Sequence, residues 1–113
     1  MPDCLFCKIA NKEIDAAVVA ESDSIVAFED INPAAPTHVL VIPKEHITSA
    51  TELGEDKGDL LAEMFTTMAR LASERSLDSG VRIVTNVGPD AGQSVHHLHF
   101  HLIGGRSMAW PPG

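Results

Sequence analysis

His97-Leu98-His99-Phe100-His101-Leu102-Ile103 alternates an imidazole with an apolar side chain three times before closing on two aliphatic residues. Successive side chains of a β-strand point to opposite faces, so this run predicts a strand from His97 to Ile103. Its three histidines then share one face, and Leu98, Phe100 and Leu102 pack on the other. Neighbouring imidazoles on that face stand about 6.6 to 6.8 Å apart, twice the rise per residue. Half of the chain's six histidines fall in this one run, which a merely polar strand face explains poorly. Two chemistries can use such a face. One is metal binding, because His-x-His pairs on strands coordinate zinc; the other is nucleophilic or acid–base work by imidazole.

Working upstream, Gly88, Pro89, Asp90, Ala91, Gly92, Gln93 and Ser94 form a loop that offers backbone N–H groups and a hydroxyl where a phosphate could sit. Val81 to Val87 reads as the strand before it. Between Gly58 and Gly80, Leu60, Leu61, Met64, Met68, Leu71 and Ala72 recur at spacings of three and four, which predicts an amphipathic helix stopped by Gly80. Ser24 to Phe28 and His38 to Ile42 are short β-branched runs. The prolines of Asn32, Pro33, Ala34, Ala35 and Pro36 interrupt ladder pairing between them, so the two are expected to be adjacent strands joined by a loop. Strands, one long helix, then strands predict an α+β fold with an antiparallel sheet covered by a helix. No repeat, low-complexity tract or linker divides the 113 residues, and one domain spanning 1–113 is expected.

Sixteen acidic residues against eight basic ones give a formal charge of −8. A nucleic acid would meet net repulsion, so neither DNA nor RNA is an expected partner. The same shortage of cations favours a ligand with one or two phosphates, such as a mononucleotide. No window reaches the roughly 18 to 20 apolar residues that span a bilayer, and Met1 to Ala10 lacks the pattern of a secretion signal. The expectation is a soluble, cytoplasmic chain with no membrane partner. Cys4 and Cys7 are too close in sequence to staple a domain; they read as metal ligands or a redox pair. A thioredoxin-like use is disfavoured because no βαβ unit precedes them.

The run His97 to Ile103 fits the pattern His-φ-His-φ-His-φ-φ, with φ apolar, and resembles the histidine triad family. The chain is similar to that family's purine nucleoside phosphoramidase branch through Cys4 to Ile9, Ala27 to Ile31, Pro36 to Ile47, Gly92 to His101 and the ending Trp110, Pro111, Pro112, Gly113. The resemblance implies an antiparallel sheet of about five strands with one long helix and a short N-terminal helix. It implies hydrolysis of nucleoside 5′-phosphoramidates, with AMP or GMP as the bound moiety and no catalytic cofactor. His99 would attack the α-phosphorus and carry a nucleotidyl intermediate. His97 would orient it, while His101 and Ser94 would stabilise charge on the phosphate and leaving amine.

By the same resemblance Asp30 would accept the ribose hydroxyls, Ile31 would line the base pocket, and Asn86, Gly92 and Gln93 would complete the sugar and phosphate contacts. Cys4, Cys7, His46 and His97 would supply four ligands for a structural zinc, with a reduced, metal-free thiol pair as the alternative. A homodimer is implied, with the tail Met108 to Gly113 reaching toward the partner's site. His96 stands where an aromatic residue is usual, and Ala109 where a polar one is commoner. Dinucleoside polyphosphate hydrolysis, nucleotidyl transfer, a binding module with vestigial catalysis, and a zinc hydrolase built on all three triad histidines are the competing readings; His101 argues against the transferase branch, which normally has glutamine there.

Overall fold

The computed structural model describes residues 3–113, so Met1 and Pro2 of the expected domain lie outside the described residues. The elements run α1 (Leu5–Ala10), β1 (Val18–Glu21), β2 (Ile25–Glu29), β3 (Thr37–Pro43), α2 (Gly58–Glu74), β4 (Val81–Val84) and β5 (Phe100–Gly104). The five strands form one antiparallel sheet in the order β1-β2-β3-β5-β4. The expected neighbours β2 and β3 pair, and β4 pairs with β5. β3 is the middle strand and is buried at all seven positions. Its run Val39-Leu40-Val41-Ile42 suits that place, since a strand covered on both faces has no polar side to alternate.

One face of the sheet carries Ala27, Val39, Val41, Phe100 and Leu102 against Met64, Met68 and Leu71 of α2. Burying side chains of this size stabilises the fold by about 1.5 to 3 kcal/mol each. The other face carries Val26, Phe28, Leu40 and Ile42 against Phe6, Ile9 and Ala10 of α1. The short α1 starts on Cys4, whose thiol accepts a hydrogen bond from the Cys7 N–H at 3.3 Å. Packing of Phe6 and Ile9, not length, keeps these six residues helical.

Three sequence expectations need correction. α2 does not run to Gly80: it ends at Glu74, and Ser76 takes the left-handed conformation with φ 57°. The Leu77 N–H reaches Ala72 O at 2.9 Å and the Ser76 N–H reaches Ser73 O at 3.1 Å. That is a Schellman closure made without glycine, so a search for glycine misplaces the stop. The last strand begins at Phe100 and not at His97. The Leu98 N–H donates to Ile47 O at 2.6 Å, which stitches this stretch to the segment after β3. β4 ends at Val84 for a related reason: the Thr85 hydroxyl donates to His99 O at 2.8 Å, replacing a ladder bond with a side-chain bond. β1 went unread because four residues carry too little periodicity to register.

Candidate active site

Alternation persists through the irregular part of the run, so Leu98, Phe100 and Leu102 stay buried while His97, His99 and His101 turn the other way. The three imidazoles nevertheless do not share one surface. His97 is fully buried and points at the start of α1. His99 and His101 line a separate cavity of about 290 Å³ together with Phe6, Phe28, Asp30, Ile31 and Ser94. Their ring centroids are 5.1 Å apart. The triad therefore does not assemble as a set of three ligands to one metal, and the zinc-hydrolase reading loses its geometry.

Hydrogen bonds set the proton on each ring. His99 Nδ1–H donates to the His97 carbonyl at 2.7 Å, leaving Nε2 with its lone pair. Phe6 meets the His99 ring edge-on at 5.0 Å and restricts its rotation. His38, which sequence reasoning passed over as a strand residue, controls His101. The Ala34 N–H donates to His38 Nδ1 at 3.0 Å, so the His38 proton lies on Nε2 and donates to His101 Nδ1 at 2.9 Å. The proton of His101 then sits on Nε2. One ring carries a bare nitrogen and its neighbour an N–H donor. A lone histidine amid the Val-Leu-Val-Ile of β3 was the available signal for His38, although its partner could not be read locally.

Burial pushes His99 below its ordinary value of 6.5, against the opposing hydrogen bond to the His97 carbonyl and the charge of Asp30. Burial, then the neighbouring His99 and His38, push His101 down to about 4. Both rings are neutral at pH 7. Asp30 Oδ2 lies 3.4 Å from His38 Nε2, while Oδ1 accepts the Asn32 N–H at 2.8 Å, so this carboxylate braces its own turn and faces the cavity.

The remaining expected site residues divide. Ser94 is exposed at the cavity wall, and Ile31 stands on its rim, 93% exposed. Asn86, Gly92 and Gln93 are not among the cavity's lining residues. The Gly92 and Gln93 N–H groups, expected to face a phosphate, are committed to Pro89 O and Gly88 O at 3.1 Å each. The Gln93 amide accepts from the Gly88 N–H at 2.9 Å and donates to Thr48 O at 2.8 Å, bracing the loop that presents Ser94. A tight turn spends its own donors internally, and the loop composition could not show that.

Cys4, Cys7, His46 and His97 come together with all four ligand atoms within 4.8 Å of one another. Cys4 Sγ lies 3.2 Å from His97 Nδ1, Cys7 Sγ 3.5 Å from the same atom, and Cys7 Sγ 3.3 Å from His46 Nδ1. A tetrahedral zinc with Zn–S of about 2.3 Å and Zn–N of about 2.0 to 2.1 Å separates sulfur from nitrogen by about 3.6 Å, so these residues fit the ion with small adjustment. His97 Nε2–H donates to Pro43 O at 2.8 Å, which fixes the tautomer that leaves Nδ1 bare for a metal. Burial, with Cys4 adding, pushes the Cys7 thiol up, so without a cation it stays protonated.

A HIT domain model matches residues 11–108. The chain belongs to the HIT family. This HIT chain is 50% identical to a HIT family hydrolase from Legionella pneumophila of solved structure, covering 98% of this chain and 100% of that one at a TM-score of 0.96. It is 47% identical over 113 residues to the 14 kDa zinc-binding protein of Brassica juncea, covering 98% of this chain and all of the relative. It is 46% identical over 111 residues to adenylylsulfatase HINT1 of Arabidopsis thaliana, covering 96% of this chain and 76% of that protein. The fold of the Legionella hydrolase is the one described above.

Proposed function

We propose that this HIT chain is a purine nucleotide hydrolase that cleaves the P–N bond of nucleoside 5′-phosphoramidates through a nucleotidyl-His99 intermediate. The observation that carries the reading is the opposed proton placement in one cavity, a bare Nε2 on His99 beside an N–H donor on His101. The His99 Nε2 lone pair attacks the α-phosphorus and the P–N bond breaks. The amine leaves after taking one proton from solvent at the Ser94 mouth. The modified ring is cationic, which strengthens its Nδ1–H bond to the His97 carbonyl. Water then attacks the same phosphorus, releasing the mononucleotide, neutral His99 and the borrowed proton. His101 Nε2–H and the Ser94 hydroxyl donate to the phosphate oxygens as charge gathers on them. Asp30 accepts the ribose hydroxyls, and the apolar wall of Phe6, Ile9, Phe28 and Ile31 takes the base.

Cys4, Cys7, His46 and His97 hold a structural zinc. Four protein ligands close its coordination and leave no open position for catalysis, so the ion anchors α1 to His97. The chain works in the cytoplasm, where both thiols stay reduced, and as a homodimer. Exposed Val81 and Ile83 on the edge strand β4, beside exposed Phe65 of α2, support the second copy, because an unpaired apolar edge invites a partner.

The test is intact mass after mixing with adenosine 5′-phosphoramidate and acid quench. A covalent adenylyl adduct that maps to His99 is expected. Turnover with no adduct in His99→Ala and unchanged rate would sink the assignment. Adenylyl sulfate belongs in the same panel, because the Arabidopsis relative is named an adenylylsulfatase; faster adduct formation with it would replace the P–N substrate class and keep the nucleophile.

A further inference from the structure

The chain's few cations are unevenly spent. Lys12 and Lys44 pair with Glu21, Lys57 with Glu45, Arg70 with Glu74 and Arg75 with Glu29. Among the described residues, Lys8, Arg82 and Arg106 form no ion pair; Lys8 stands apart on α1, and the two arginines line one cleft of about 580 Å³. That cleft lies between the end of α2, the start of β4 and the segment after β5, bordering through Val81 and Arg82 the edge strand proposed above to meet the second copy, and shares no residue with the triad cavity. In a chain of formal charge −8, two cations left unpaired in the same cleft are an exception to the pattern around them.

Both guanidinium groups are held without being neutralised. Arg82 Nη2 donates to Ala109 O at 2.9 Å. Arg106 donates through Nε to Ala34 O and through Nη1 to Ser107 O, at 3.0 Å each. Carbonyl partners orient the planar forks and leave the positive charge intact, with most N–H groups unspent. Ser76, Ser79 and Ser107 add hydroxyl donors to the walls. Oriented arginines with neutral donors around them match the oxygens of a phosphate, which take paired N–H groups from a guanidinium.

We propose that the Arg82–Arg106 cleft is a second anion site, taking a free phosphate-class anion such as orthophosphate or pyrophosphate, apart from the nucleotide cavity. Calorimetric titration of pyrophosphate into full-length protein saturated with AMP should show one binding event per chain. Arg82→Gln and Arg106→Gln should each weaken it at least about tenfold, and the double variant should lose it. In the unaltered protein, the side-chain Nε–Hε NMR signals of Arg82 and Arg106 should move on adding pyrophosphate, which keeps the test valid if a variant unfolds. Absent heat, equal affinity in the double variant, or heat without movement of those two signals overturns the site. Should the nucleotide reading fail instead, AMP gives no binding while the arginine-dependent pyrophosphate event remains.

Discussion

His97 and His101 are the same residue type on one alternating run, yet they end in opposite surroundings. His97 is buried against two thiols, with its Nε2–H tied to Pro43 O and its Nδ1 turned to Cys4 and Cys7. His101 opens onto a cavity, with its Nδ1 taken by His38 and its Nε2–H left for a ligand. Between them His99 borrows from both ends: a carbonyl from His97 to set its tautomer, and a neutral neighbour in His101. Alternation put all three rings on the same side of the chain; the partners of each ring set one end against two thiols and opened the other onto a cavity, which the proposed function reads as scaffold and chemistry.

That division can be broken from the middle outward. On the proposed function, His99→Ala should lower phosphoramidate turnover at least about a thousandfold while AMP affinity stays within about tenfold, because it would remove a nucleophile and spare the base and ribose contacts. Calorimetry with AMP beside steady-state kinetics separates the two, and a few per cent of residual turnover would contradict the role. At the cavity end, His101→Ala should cost roughly 10² to 10³ in kcat, the range for one oriented donor to a developing oxyanion. Near-normal kcat there would show that His101 does not face the reacting phosphate.

The scaffold end should answer differently. Protein made with zinc should hold about one ion per chain, and Cys4→Ser should lose it, with Tm falling by roughly 10 °C or more. Adduct formation measured below the new Tm should stay within about tenfold. Zinc-free protein after purification without chelator, or a rate loss matching that of His99→Ala, would merge the two ends into one function.

Acid sharpens the contrast further. Burial holds His99 and His101 below 6.5, so the unfolded chain takes up protons before the folded one does. Stability should therefore decline as pH falls from about 6.5 toward about 4. Adduct formation needs the bare His99 nitrogen, so its acid limb should lie below 6.5 in a stopped-flow pH profile; a midpoint at or above 6.5 would mean that burial does not set this ring. The smallest effect is expected from the tail. Truncation after Ser107 removes Trp110, which is 83% exposed, and the Ala109 carbonyl that orients Arg82. It should leave the proposed dimer and the minimal substrate rate intact but reorder kcat/KM across a panel of leaving amines. An unchanged ranking, or a monomer in sedimentation, would assign the tail no part in substrate choice.

What the sequence by itself determined is what its local order carries. Alternation from His97 to Ile103, the three- and four-residue spacing of Leu60 to Ala72, and the excess of acid over base are readable without a partner, because period and charge belong to neighbouring residues. They gave the α+β class, the pairing of neighbouring strands and the histidine side of the run. Tertiary structure decided everything that hangs on a distant carbonyl or a distant lone pair. Cys4 meets His97 across 93 positions, and His38 reaches His101 across 63. Ser76 closes a helix that glycine was expected to close, since backbone bonds to Ala72 and Ser73 hold it in the left-handed region. Which histidine carries its proton on which nitrogen is a property of those contacts, and no order of residues along the chain contains it.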